Sequence, residues 1–178
     1  MVICNQPTAV QTEHATVYLT GLFIYGDNQA GDASIRAFMA DFDAGCAKFD
    51  LCIGSHRVRI VYPDGRELFF GDSAGLLFWF FDLANGQAFD RLSDVPAEQR
   101  RPNMAAIAQF LWFDCIYGMD TVMDGIVRSD PEQYYILQNG KITALEKGLT
   151  PLEQLPGGDD ALALYMRRVL KAVGDHES

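Results

Sequence analysis

Residues 49–81, FDLCIGSHRVRIVYPDGRELFFGDSAGLLFWFF, decide the fold. Val58, Ile60 and Tyr62 alternate with Arg57, Arg59 and Val61, the period of two that marks a strand with one buried face. Pro63-Asp64-Gly65 interrupts the run and Arg66-Glu67-Leu68-Phe69-Phe70 resumes it. Asp-Gly between two β-rich runs predicts an antiparallel hairpin. Gly71-Asp72-Ser73-Ala74-Gly75 predicts a second turn. Residues 76–81 are apolar throughout, which suits a strand covered on both faces. The expectation is a three-stranded meander with a thick aromatic side.

Toward the N-terminus, residues 2–4 and 16–19 read as short strands joined by a polar loop at 5–14, and residues 20–26 continue the second strand. Asp32 is placed to cap a helix in which Ile35, Phe38, Met39 and Phe42 recur at helical spacing and share one buried face. Gly45 ends that helix. Toward the C-terminus, residues 84–102 carry Asn-Gly, two prolines and alternating charges, the composition of a surface excursion. Asn103 caps a helix over Met104, Ile107, Ala108 and Leu111. Turns fill residues 113–129, and Asn139-Gly140 closes a second hairpin between residues 134–137 and 141–145. A last helix starts at Asp159, with Leu162, Met166, Val169, Leu170 and Val173 on one face.

Bulk properties narrow the function. The chain has 178 residues, 49% of them apolar, enough for one domain with a sizeable core. Its net charge of -10 disfavours a nucleic-acid partner, because phosphates would be repelled and no Lys/Arg cluster compensates. No apolar run approaches the ~20 residues of a membrane span, and residues 1–6 lack the basic-then-apolar pattern of a secretory leader. A cytoplasmic address is the default expectation. Cys4, Cys46, Cys52 and Cys115 show no paired spacing, and His14, His56 and His176 lie in different segments, so neither a metal nor a cofactor is expected.

Taken together, these features resemble the N-terminal glutaminase domain of asparagine synthetases, a class II glutamine amidotransferase of the N-terminal-nucleophile hydrolase fold. The run from Gly54 to Tyr62, then Asp64-Gly65, then Gly71-Asp72-Ser73-Ala74-Gly75 before an aromatic strand, is similar to that family's G-x-F-A-F-x-x-x-D hairpin and R-D-x-x-G turn. Phe110-Leu111, Gly118, Thr121-Val122, Gly125-Ile126 and Pro131 resemble a later family segment, and Asn139-Gly140 sits where its second hairpin turns. The likeness runs from about residue 18 to about residue 144. It implies an α+β fold, an αββα sandwich of two mainly antiparallel sheets with flanking helices, shortened at the N-terminus. Residues 1–178 form a single domain on this reading, and a helix at 159–174 stands where a synthetase domain otherwise follows.

The resemblance also implies where chemistry would sit. In the family an N-terminal cysteine uses its own amine as base and attacks the glutamine amide. Position 2 is Val2, so Cys4 could serve only after loss of Met1-Val2-Ile3; otherwise Cys4 is a small apolar strand residue. Thr20-Gly21-Leu22-Phe23-Ile24 corresponds to the N-G-E-I-Y motif that supplies oxyanion donors, with Gly21 kept and Thr20 in place of the asparagine. Asp32 corresponds to the aspartate that grips the substrate's amino group, although helix capping explains it equally well. The R-G-P-D segment, whose arginine pairs with the substrate carboxylate, has no counterpart. Pro156-Gly157-Gly158-Asp159-Asp160-Ala161 mimics the synthetase pyrophosphate loop but lacks both its serines, and a Gly-Gly turn before an Asp cap accounts for it.

Three functions are compatible with these residues. The favoured one is a glutaminase-like binding or scaffold subunit that has lost hydrolysis, with a separately encoded synthetase-type partner. The second is an amidohydrolase that exposes Cys4 by processing. The third is a homo-oligomer that keeps an amino-acid-like ligand near Thr20, Gly21 and Asp32.

Overall fold

The computed structural model describes residues 7–149. In chain order the elements are β1 (Thr8–Gln11), β2 (Thr16–Gly21), β3 (Ile24–Tyr25), α1 (Asp32–Asp43), β4 (Cys52–Ile53), β5 (His56–Val61), β6 (Glu67–Gly71), β7 (Phe80–Asp82) and β8 (Gln87–Phe89). They continue with α2 (Met104–Phe113), β9 (Ile126–Arg128), β10 (Gln133–Gln138) and β11 (Lys141–Glu146). Among the described residues these form a six-stranded sheet in the order β1-β2-β5-β6-β10-β11, a three-stranded sheet β8-β7-β9 and the small pair β3-β4. Every pairing is antiparallel, so the fold is α+β with mostly antiparallel sheets.

The opening hairpin forms as its sequence dictates. β5 and β6 pair with Ile60 opposite Leu68, and Gly65 takes the positive φ of 82° that the tight turn requires. Along β5, His56, Val58 and Ile60 are buried while Arg57, Arg59 and Val61 are half-buried on the other face. The buried side meets α1. Ile35, Phe38 and Met39 pack there on Val17, Leu19, Val58, Ile60, Leu68 and Phe70. The opposite face of β6 and β10 carries Phe69 and Tyr135, which pack on Phe81 of the smaller sheet and on Trp79 just before it. The layers therefore run helix, large sheet, small sheet, with aromatic contacts such as Phe69–Trp79 at 5.1 Å between ring centroids joining the sheets.

Several expectations are corrected. Residues 76–81 do not extend the meander. The carboxylate of Asp72 accepts from the amides of Leu76 and Leu77, both at 3.0 Å, and turns the chain away, so β7 crosses to the small sheet and β10 takes the place beside β6. The loop at 5–14 contains β1, which pairs with β2. β2 stops at Gly21, where φ is 92°, and β3 belongs to a separate pair. The excursion at 84–102 includes β8, and the turns at 113–129 include β9. Asp32 does not cap α1: Gly31 is the N-cap and Asp32 the first helical residue. Asn103 does cap α2, its Oδ1 accepting from the Ala106 amide at 3.1 Å. Of the apolar residues that mark this helix in the sequence, Ile107 is half-buried, whereas Met104 and Leu111 are exposed at 68% and 76%. Ala106 is instead the residue α2 buries. The strand expected at residues 2–4 and the helix expected at 159–174 lie outside the described residues.

Candidate functional site

The large sheet is wider than the sheet that covers it, and the difference leaves a notch. Tyr18 and Thr20 on β2 stand opposite Arg59 and Arg57 on β5. These side chains share the face that carries Phe69, but the small sheet reaches only β6 and β10. Trp79 and Asp90, flanking β7 and β8, close the far side. Together with Pro7 they enclose about 250 Å³ with Tyr18, Thr20 and Arg59.

The chemistry of this notch is polar on an aromatic base. Thr20 is 5% exposed as a residue, and its hydroxyl makes no hydrogen bond among the described residues, which leaves that oxygen available to whatever fills the cavity. Arg59 gives Nε and Nη2 to Glu67 in a bidentate pair of 2.7 and 3.0 Å, leaving Nη1 without an acceptor among the described residues. That pairing raises the guanidinium pKa further, so the group is always charged. Arg57 lies over the Trp79 ring at 5.0 Å, donates to the carbonyls of Phe78 and Asp90, and sits 3.7 Å from the Asp90 carboxylate. A donor edge and a carboxylate thus face one small space.

Of the residues singled out by sequence, the structure places Thr20 in the notch. Gly21 follows it at the end of β2, opposite His56. A Cβ at Gly21 would overlap the Ser55 carbonyl oxygen, and the Leu22 amide donates to that same oxygen at 2.8 Å, so the residue serves close backbone approach. Asp32 is not among the residues lining the notch. Its carboxylate pairs with Arg36 at 3.0 Å in a half-exposed i,i+4 bridge, and Arg36 is tied to the Gln11 carbonyl. Cys4 lies outside the described residues. Arg59, Asp90, Tyr18 and Trp79 escaped the sequence reading because the strand register and the crossing of β7 bring them together, and neither is written locally.

A second group of titratable side chains lies inside the core. His56 is 1% exposed between Phe23 and Phe70, with ring centroids at 4.8 and 5.9 Å. Burial pulls its pKa down to about 4, against a weaker opposing effect of Asp72. Lys147, also buried, donates from Nζ to the carbonyls of Gly71 and Pro131, both at 2.6 Å, and burial lowers its pKa to about 8. Burial pushes the Cys52 thiol up to about 12. A thiol so hard to ionise is no nucleophile at neutral pH. Lys147 ties Gly71, at the end of β6, to Pro131, ahead of β10. Among the described residues no group of His, Cys, Asp or Glu could hold a metal ion, and no helix is long and apolar enough to cross a membrane.

No family model matches the chain, and no curated protein matches it.

Proposed function

We propose that this chain is a binding subunit on a glutaminase-like frame, an αββα-type sandwich that holds a small zwitterionic, amino-acid-like ligand in the notch and does not hydrolyse it. The Thr20 hydroxyl, without a hydrogen bond among the described residues and open to the cavity between Arg59 and Asp90, carries this reading. The free Nη1 of Arg59 donates to a ligand carboxylate, and the Asp90 carboxylate accepts from an ammonium. Trp79 and Tyr18 supply apolar surface for the stem between them, in the manner of small-molecule sites with few polar anchors. The helix–sheet–sheet order supports the frame. The absence of hydrolysis follows from the residues: threonine stands where the family's oxyanion asparagine would be, and a single lost donor costs ~3 kcal/mol of transition-state stabilisation. No feature of the described surface selects a synthetase-type partner.

Calorimetry and thermal melting with the free amino acids, glutamine, asparagine, aspartate and glutamate first, test the proposal. At least one is expected to bind and raise the melting temperature. Thr20→Val should weaken that ligand by roughly tenfold, the equivalent of one hydrogen bond. If none of them binds, or if ammonia is released from glutamine at enzymatic rates, the reading is wrong.

A further inference from the structure

The helix α2, MAAIAQFLWF, contains no charged side chain between Met104 and Phe113. Its inner face is narrow: Ala106 is buried, Ile107 and Gln109 are half-buried, and the N-terminal end is anchored by the Asn103 amide donating to the Val122 carbonyl at 2.9 Å. Successive residues advance by 100° around the axis, so Met104, Ala108, Leu111 and Trp112 fall in one stripe opposite Ala106. That stripe faces solvent, with Trp112 at 83% exposure. Trp112 alone offers roughly 200 Å². With Met104, Leu111 and the exposed Phe110, Phe113 and Tyr117, the uncharged surface passes the few hundred Å² that a monomer ordinarily carries.

The charges at the two ends of α2 identify the occupant. Arg100 and Arg101 precede its first turn, and Asp114 follows its last. Arg100 is engaged with the carbonyls of Val95 and Ser93, whereas Arg101 and Asp114 are exposed and make no side-chain bond among the described residues. Arg101 lies three residues before the start of α2 and Asp114 directly follows its last residue, so the two charges bracket the stripe. A second α2 laid antiparallel across the first, with the two Ala108 residues at the centre, brings the Arg101 end of one copy to the Asp114 end of the other, at both ends. The small side chain at the centre allows the ~8–10 Å axial separation of close helix pairs, with a shallow crossing that keeps the ends together. The stripe itself adds no charge to the seam, so the acidity of the whole chain stays outside it.

We propose that α2 forms the two-fold interface of a homodimer, its Met104–Ala108–Leu111–Trp112 stripe packed against that of a second copy and its ends joined by reciprocal Arg101–Asp114 pairs. The contact is isologous, as a closed dimer demands. It is independent of the notch, which lies on the large sheet.

Sedimentation equilibrium of the whole chain between about 1 and 100 µM in 0.15 M salt tests the proposal. A dimer is expected, and Leu111→Arg should raise its dissociation constant ~30-fold or more, as for a central interface residue. Arg101→Asp and Asp114→Arg should each weaken the dimer several-fold, and the double reversal should restore it to within about threefold of the parent. All three positions are exposed, and circular dichroism of each variant checks that the monomer is intact. A parent that stays monomeric at 100 µM, or a dimer indifferent to Leu111→Arg, overturns the interface. A double reversal no tighter than the weaker single overturns the antiparallel seating.

Discussion

His56 makes the stability of this protein depend on pH in a window where few other groups titrate. Its Nδ1 lies 3.0 Å from the Gly54 carbonyl oxygen, which can only accept, so Nδ1 carries the proton and Nε2 holds the lone pair. Nε2 is buried and has no partner among the described residues. Acid must therefore place a new N–H and a positive charge among aromatic rings, which is why burial takes the pKa from 6.5 to about 4. The folded pKa lies below the unfolded one, so between these values the unfolded chain binds more protons and stability falls as pH falls. Applying the linkage relation to those two pKa values, the drop between pH 7 and pH 5 is about 2 kcal/mol. The variant His56→Leu removes the proton site and leaves an apolar side chain in an apolar place. Urea unfolding of both proteins at pH 7, 6 and 5, read by tryptophan fluorescence, gives the two slopes. The parent should lose about 2 kcal/mol and the variant less than half of that. Parallel slopes would show that His56 is accessible to protons in the folded state, and the account of its burial would fail.

Two further substitutions probe the frame. Gly86 and Gly140, at the tips of the β7–β8 and β10–β11 hairpins, both have positive φ, but a Cβ on Gly86 would overlap the Gly140 carbonyl, whereas one on Gly140 meets open space. Gly86→Ala should thus cost about 3 kcal/mol of overlap and backbone strain, and Gly140→Ala about 1 kcal/mol of strain alone. Equal losses in urea unfolding would contradict the close approach of the two turns. Replacing Asn103 by Ala should cost about 1 kcal/mol while Asn103→Asp costs little, because a carboxylate oxygen accepts from the Ala106 amide as the amide oxygen does. A loss of similar size in both variants would mean that the cap contributes nothing.

Much of the frame is legible wherever a pattern is local. Asp64-Gly65 between alternating runs gave the β5–β6 hairpin, Ile35, Phe38 and Met39 gave the buried face of α1, and Asn103 gave the start of α2. The inner face of α2 was not readable, because a helix that is apolar all round has no directional pattern and only its neighbours decide which side is covered. The path of residues 76–81 was hidden for a similar reason: an apolar run says that a strand is buried, not in which sheet. The notch was the least visible feature. Thr20 could be singled out, but Arg59 and Asp90 are 31 positions apart and meet through the β2–β5 register and the return of β8. Long-range pairing of this kind leaves no trace in spacing.

The order of strands in the large sheet sets a timetable for synthesis. β1, β2, β5 and β6 occupy adjacent places and come from residues 8–71, while β10, the neighbour of β6 on its other side, arrives more than sixty residues later. As the chain emerges, Leu68-Phe69-Phe70 can dock on β5 and still present an unpaired, strongly apolar edge until residue 138 is available. Lys147, whose ammonium bridges the Gly71 and Pro131 carbonyls, completes the closure last. The interval before β10 pairs is when a nascent or truncated chain is most open to strand exchange with its neighbours on the ribosome or to capture by a chaperone.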